Sequence, residues 1–141
     1  MLVLVVEDEP MIAASIQWEL EDAGYEVLGP ATGVSEAEAL ARQTRPDLAF
    51  IDINLAGHDE GVGLARELKA RLGVPSIFVT GQLAQARQAS DAALGVLPKP
   101  FNFQSLVQAV PVAQALEQGR RPARLPLGLE LFAPRPVAQA S

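Results

Sequence analysis

Short apolar runs alternate with longer amphipathic stretches along this chain. The first run, residues 2–6, is continuous and aliphatic, which is typical of a parallel strand buried on both faces. In the stretch that follows, apolar residues recur every three or four positions, the period of a helix with one buried face. The alternation predicts strands at residues 2–6, 25–30, 47–51, 74–80 and 94–97, and helices at residues 10–23, 35–43, 61–72, 82–93 and 103–117.

Two of these helices carry signals for their first residues, and one contains a conflict. Ser35 and Glu38 have the spacing of a capping box, and Asn102 is of a residue type that caps helix N-termini. Pro111 falls inside the last helical pattern, where it lacks a donor N–H and its ring clashes with the carbonyl group four residues earlier. We therefore expect a kink at Pro111, or two helices of which Pro111 opens the second.

Five strands that alternate with five helices predict a parallel sheet with helices on both faces. We expect an α/β domain over residues 1–118, whose doubly wound five-stranded parallel sheet has the flavodoxin-like order 2-1-3-4-5. Residues 119–141 are rich in proline, arginine and leucine, and we interpret them as a C-terminal arm outside the core.

The arm carries leucines in alternation at Leu127, Leu129 and Leu131, which is the period of a strand. One hypothesis is that this segment pairs with a sheet edge or packs onto a second protomer, forming a homodimer. The alternative is a disordered tail.

Composition and charge limit the classes of function. The net charge of −6 argues against direct nucleic-acid binding, which needs clustered lysine and arginine. The sequence has no cysteine, which excludes disulfides and cysteine-ligated zinc, and its one histidine, His58, is interpreted as a solvated loop residue. The apolar run at residues 2–6 is too short for a signal peptide or a membrane span, so we expect a cytoplasmic protein without a membrane partner.

Polar side chains follow four of the predicted strands. Glu7 and Asp8 come directly after the first strand, and Asp52 comes after the third. Thr80 ends the fourth strand, and Lys99 follows the fifth. Because ligands of an open parallel sheet bind beyond the carboxyl ends of its strands, we expect these residues at one rim. Each alone has an ordinary explanation, such as a charge near a helix N-terminus, but their joint arrangement indicates a site.

Three carboxylates at one rim repel one another unless a cation balances them. Mg²⁺ fits this need, because it takes few carboxylates, keeps several waters and binds phosphate oxygens. We expect Asp8 and Asp52 to bind the ion directly and Glu7 to bind it through water. The main-chain carbonyl of Asn54 is a candidate for a further protein oxygen.

The same arrangement makes Asp52 a candidate phosphoryl acceptor. Carboxylates form aspartyl phosphates, and phosphoryl transfer depends mainly on positioning and on charge neutralisation. Lys99 would supply a second positive charge, and Thr80 would donate its hydroxyl group to a phosphoryl oxygen. The Lys99–Pro100 bond is a candidate cis peptide, which would aim the lysine inward.

Four runs of sequence around these positions resemble response-regulator receiver domains of two-component signalling, of the stand-alone type. The runs are Val-Glu-Asp-Glu-Pro at residues 6–10, Pro-Asp-Leu-Ala-Phe-Ile-Asp at 46–52, Phe-Val-Thr-Gly at 78–81 and Leu-Pro-Lys-Pro-Phe at 97–101. The resemblance implies that a sensor histidine kinase or a phosphotransfer protein transfers a phosphoryl group to Asp52. It also implies that Thr80 and Lys99 read the phosphorylated state.

Several positions depart from the family pattern, and two of them bear on the switch and on the output face. Receivers often carry tyrosine or phenylalanine three residues before the lysine, where this chain has Val96. Pro111 interrupts the final helix, which belongs to the face that many receivers use for dimers or output. We therefore expect a variant of the usual switch.

Trp18 falls with Met11 and Ala14 beside the apolar stripe of the first helix. We predict that it packs at the edge of the core. The alternative is that it docks the kinase, since exposed aromatic side chains favour interfaces.

The predicted function is that of a signalling module, not an enzyme, which acts through protein contacts. The residues after the core are too few for a helix-turn-helix output domain. One alternative is a degenerate receiver used as a docking scaffold. Another is an aspartate-nucleophile phosphohydrolase, which needs a second aspartate where this chain has Asn54. The least favoured is a flavodoxin-like flavin protein, whose phosphate loop would meet Glu7 and Asp8.

Overall fold

The computed structural model describes residues 1–55 and 60–132. Strands and helices alternate through these ranges in the predicted order. The strands are β1 (Leu2–Val6), β2 (Glu26–Ala31), β3 (Leu48–Ile51), β4 (Ser76–Thr80), β5 (Gly95–Pro98) and β6 (Glu130–Leu131), and the helices are α1 (Pro10–Asp22), α2 (Val34–Gln43), α3 (Glu60–Glu67), α4 (Leu83–Gln88) and α5 (Phe103–Glu117). His58, the predicted loop residue, lies outside the described residues.

The six strands form one sheet in the order β2-β1-β3-β4-β5-β6. Strands β1 to β5 are parallel, whereas β6 runs antiparallel to β5. The predicted α/β fold with the flavodoxin-like order 2-1-3-4-5 is confirmed, and β6 adds a sixth strand at the β5 edge. Because the five long strands are parallel, their carboxyl ends meet at the same rim.

The core lies on both faces of this sheet. Every residue of β3 and β4 is buried, which explains why β3 and the centre of β4, residues 77–79, are apolar without alternation. Val3 and Val5 of β1 pack with α1 and α5 on one face, and Leu4 and Val6 pack with α2 and α3 on the other. Each face of β1 is therefore covered by helices, and the polar residues gather beyond its end.

The predicted capping box of α2 is wrong. The helix begins at Val34, one residue before the predicted cap, and Gly33 precedes it without a side-chain hydrogen bond. A different acid serves this end of the helix, since Glu36 accepts the backbone N–H of Thr32 at 2.9 Å. The carboxylate thus satisfies a donor just outside the helix.

The helical segment at α3 ends at Leu72 as predicted, whereas α4 is shorter than predicted. Beyond Glu67, α3 continues as a π-helical turn over Leu68–Leu72, which ends at Gly73 with a positive φ of 65°. Helix α4 spans only six residues, against the twelve predicted. The apolar residues of its segment are mostly alanines, each of which buries little area. Within residues 1–55 and 60–132, no helix combines the length and the apolar character needed to cross a bilayer.

Helix α5 runs unbroken from Phe103 to Glu117, so the prediction of two helices at Pro111 is wrong. Pro111 itself is exposed, while Val110 and Val112 on either side of it are buried in the core. This packing holds the helix together across the proline. At the N-terminus the predicted cap is confirmed, because the Asn102 side chain accepts the backbone N–H of Gln104 at 2.7 Å.

The arm returns to the sheet after α5. Gly119 and Gly128 adopt positive φ angles of 70° and 87°, which glycine tolerates without strain and which let the chain turn. Leu129 is buried in the core, and residues 130–131 form β6. Of the alternatives for the arm, the described part therefore shows pairing with a sheet edge of the same chain. Residues 133–141 lie outside the described ranges.

Candidate functional site

The rim at the carboxyl ends of the strands holds the predicted polar residues. Backbone hydrogen bonds set their positions, since the Asp52 N–H donates to the Val6 carbonyl at 3.0 Å. The Lys99 N–H likewise donates to the Thr80 carbonyl at 2.9 Å. The structure thus places the ends of β1, β3, β4 and β5 side by side, as the sequence predicts.

Lys99 lies at the centre of this group. Its Nζ is 2.8 Å from Glu7 Oε1 and 3.0 Å from Asp52 Oδ2. The side chain of Glu9, which no prediction included, is 3.8 Å from the same nitrogen and is mostly exposed. One ammonium group therefore links the ends of β1 and β3. The Lys99–Pro100 peptide is cis, as predicted.

Burial and pairing together set the charges of this group. Burial raises the pKa of Glu7 above its usual value, and the hydrogen bond from Lys99 offsets only part of that effect. Burial also acts to lower the pKa of Lys99, but the hydrogen bonds to Glu7 and Asp52 outweigh it, so the pKa of Lys99 is raised. Lys99 therefore remains a cation at neutral pH.

The carboxylates of Glu7, Asp8 and Asp52 form a cluster that suits a hard cation. Each offers one oxygen, and these oxygens lie within 4.8 Å of one another. Three acidic groups face a single ammonium group, so the cluster favours additional positive charge. The donors are oxygens only, which is the ligand set of Mg²⁺ and not of zinc. The residues present therefore fit a magnesium ion.

Asn54 and Thr80 complete the inner surface of the site. The backbone N–H of Asn54 donates to Asp52 Oδ1 at 3.1 Å, which fixes the carboxylate. The Asn54 side-chain oxygen is buried and accepts no hydrogen bond within the part of the chain that the structure describes. Thr80 is fully buried, and its Oγ1 accepts the backbone N–H of Gln82 at 3.0 Å.

Gly61 supports the acceptor loop and was missed by sequence reasoning. It lies in the first turn of α3, and its backbone N–H donates to the Ile53 carbonyl at 2.9 Å. A Cβ atom at this position would lie 2.6 Å from the Ile53 Cα and would overlap the carbonyl group of Asp52. The sequence contains no signal for this contact, because nearby Gly63 has the same local context and meets nothing within 4 Å.

Trp18 does not pack at the edge of the core, so that prediction is wrong. Its side chain is 63% exposed, and Met11, which lies on the same helical face of α1, is 83% exposed. Ile16 and Leu20 already fill the core-facing side of the helix. The exposed pair therefore forms an apolar surface on the helix that follows the acidic residues of β1.

Comparisons with known proteins agree with this geometry. A family model described as the response regulator receiver domain matches residues 3–111. Among curated proteins, the chain is 33% identical over 114 residues to the transcriptional regulatory protein PdtaR of Mycobacterium tuberculosis. That match covers 79% of this chain and 55% of PdtaR, so the chain spans about half the length of this relative.

Solved structures give the same result. The signal receiver domain of a modulated diguanylate cyclase from Desulfovibrio desulfuricans is 34% identical, with a TM-score of 0.75, and the match covers 83% of this chain and 95% of that one. The response regulator protein TrrA from Thermotoga maritima, solved in complex with Mg²⁺ and BeF, is 30% identical. Its TM-score is 0.70, and the match covers 79% of this chain and 97% of that one.

Proposed function

The chain belongs to the response regulator receiver family of two-component systems, and on that premise we propose that it signals by accepting a phosphoryl group on Asp52. The observation that carries the proposal is the contact of Lys99 Nζ with Asp52 Oδ2 at 3.0 Å beside a cluster of three carboxylates. Incubation with Mg²⁺ and acetyl phosphate, followed by intact mass measurement, tests it. The expected result is a single phosphoryl adduct.

The transfer is a displacement at phosphorus. A carboxylate oxygen of Asp52 supplies the electron pair of the new O–P bond, while the bond from phosphorus to the donor breaks and its electron pair leaves with the donor. Lys99 neutralises charge on the phosphoryl oxygens, and the Thr80 hydroxyl donates to one of them. When bound, Mg²⁺ supplies further charge neutralisation. Asp8 and Asp52 would hold the ion directly, with Glu7 through water and the Asn54 main-chain carbonyl as a further oxygen.

The Asp8→Asn substitution is expected to weaken Mg²⁺ binding by about tenfold, or roughly 1.4 kcal/mol, because a neutral amide replaces a charged ligand. Titration calorimetry with MgCl₂ measures the change. Asp22→Asn, at the far end of α1, is the matched control and should bind Mg²⁺ like the wild type. Equal affinity in all three proteins would place the ion elsewhere.

We propose that the phosphodonor, a sensor histidine kinase or a phosphotransfer protein, docks on the exposed face of α1. This face carries Met11 and Trp18, and α1 begins three residues after Glu7 at the rim. Aromatic side chains often supply much of the binding energy of an interface. The docked partner would thus present its phosphohistidine to Asp52.

Trp18→Ala is expected to slow transfer from a phosphohistidine protein by at least about tenfold. Phosphorylation by acetyl phosphate should not change, since that donor needs no docking surface. Radiolabel transfer with each donor measures the two rates. Gln17→Ala, one residue away on a different face of α1, is the control. A loss with both donors would show damage to the site itself and would contradict the docking role.

A homodimer through the arm stays a prediction. Residues 130–131 of β6 pair with β5 of the same chain, and this pairing gives no direct support for a dimer. Truncation at Gly119 followed by a measurement of solution mass tests the idea. A monomeric mass before and after truncation would contradict it.

A further inference from the structure

The edge of the sheet at β5 is covered by the chain's own arm. Two residues of β5 pair with the two residues of β6 in antiparallel register. Phe132 extends this pairing, because its backbone N–H donates to the Leu94 carbonyl at 2.9 Å. A strand edge presents unpaired backbone groups that an extended segment can satisfy. The β5 edge can therefore pair with an extended strand, and in this structure β6 of the arm is that strand.

An ion pair joins this covering strand to α4. Arg87 Nε donates to Glu130 Oε2 at 2.9 Å, and Arg87 Nη2 donates to Glu130 Oε1 at 2.8 Å. Hydrogen bonding to Arg87 lowers the pKa of Glu130 below its usual value, so the acid is charged at neutral pH. A bidentate pair of this kind selects a carboxylate by both charge and shape. The edge thus favours a strand with an acidic residue at this register.

Gly95 makes the close approach of the strand feasible. A Cβ atom there would lie 3.1 Å from the Leu131 Cα and would overlap the backbone oxygen of Glu130. The three nearest atoms all belong to β6. Alanine at this position would therefore exclude a docked strand, because its closest contacts are all with that strand.

The covering strand is linked to the rim through α4. Thr80 Oγ1 accepts the backbone N–H of Gln82, the residue that precedes α4, at 3.0 Å. Arg87 lies in the last turn of the same helix, which has only six residues and is therefore shorter than two turns. Donation of the Thr80 proton alone would leave this acceptor in place. A rotation of the Thr80 side chain towards a phosphoryl group on Asp52 would carry Oγ1 away from the Gln82 N–H and remove this support from the start of α4. Because the helix is so short, a displacement of its first residues would also move Arg87 and disturb its ion pair with Glu130.

We propose that the β5 edge is a docking site for an extended partner segment, which β6 closes and phosphorylation of Asp52 opens. The arm shows the chemistry of the occupant, which is an acidic residue flanked by leucines, as in Leu129-Glu130-Leu131. Val96, which stands at the aromatic position of the family pattern, pairs with Glu130 in the sheet, so the covering strand lies beside this position. The opening step rests on the proposed function, whereas the docking site does not.

The docking site is tested without phosphorylation. The probe is a labelled peptide with the sequence of residues 126–132, and its affinity is measured by fluorescence anisotropy. Glu130→Lys places two cations together at Arg87 and frees the edge. This variant should bind the peptide at least about tenfold more tightly than the wild type, because the apparent affinity scales with the open fraction. Adding Gly95→Ala should abolish binding, and a peptide with lysine for glutamate should not bind.

The opening step is tested by phosphorylating the wild-type chain with Mg²⁺ and acetyl phosphate. Once the adduct is verified by intact mass, hydrogen exchange at residues 130–132 should accelerate, and affinity for the peptide should rise at least about tenfold. An adduct with unchanged exchange and affinity overturns the opening step alone. Failure to form the adduct overturns the proposed function and the opening step together. If the Glu130→Lys variant does not bind the peptide, the proposed docking site is overturned.

Discussion

Replacing Asp52 by asparagine is expected to abolish the phosphoryl adduct that wild-type protein forms with Mg²⁺ and acetyl phosphate. The amide cannot supply the nucleophilic electron pair of a carboxylate, and it removes one charge from the proposed ion site. Lys99 would keep its 2.8 Å contact with Glu7, so the partly buried ammonium group stays paired with a carboxylate. Intact mass spectrometry measures the adduct, and circular dichroism checks that the variant folds.

The matched control for this substitution lies at the other end of the same strand. The Asp47 side chain accepts the backbone N–H of Leu2 at 2.8 Å, just before β3 begins. Asp47→Asn makes the same chemical change away from the rim and should retain the full adduct. An adduct that persists in Asp52→Asn would show that another residue is the acceptor. Loss of the adduct in both variants would point to a general loss of structure.

The sequence predicts the sheet well because its central strands are buried on both faces. A strand such as β3 must be apolar at every position, and few other structures require this pattern. The site follows from the same property, since polar residues at successive strand ends must meet at one rim. The sequence therefore places Asp52, Thr80 and Lys99 near one another before any contact is known.

The features that the sequence does not predict depend on contacts between distant segments. Arg87 and Glu130 are 43 residues apart, and neither has a local pattern that marks it as paired. Helix α5 survives Pro111 because buried side chains on both sides of the proline hold it against the core. Local propensity rules describe neighbours along the chain, so tertiary packing overrides them at these positions.

Gly61→Ala is expected both to slow phosphorylation of Asp52 and to lower the free energy of unfolding. The added Cβ would overlap the Asp52 carbonyl group and clash with the Ile53 Cα. Both are backbone atoms, so a change of side-chain rotamer cannot relieve the clash. Overpacking of this kind costs about 1–3 kcal/mol of the free energy of unfolding. The strain falls on the acceptor residue itself. Because misplacement by about 1 Å can cost up to about 100-fold in rate, phosphorylation should slow by at least about tenfold.

Gly63→Ala separates this steric effect from the general effect of alanine in a helix. Gly63 lies in the same helix, two residues further on, and a Cβ atom there meets nothing within 4 Å. Alanine at this position should therefore stabilise α3 by about 0.5–1 kcal/mol and leave the phosphorylation rate unchanged. Urea unfolding gives the two free energies, and the rate of adduct formation with acetyl phosphate gives the two activities. We expect the free energy of unfolding to fall in Gly61→Ala and to rise in Gly63→Ala, and the phosphorylation rate to fall only in Gly61→Ala. That result would show that α3 positions Asp52 by direct contact. Equal behaviour of the two variants would contradict that role for Gly61.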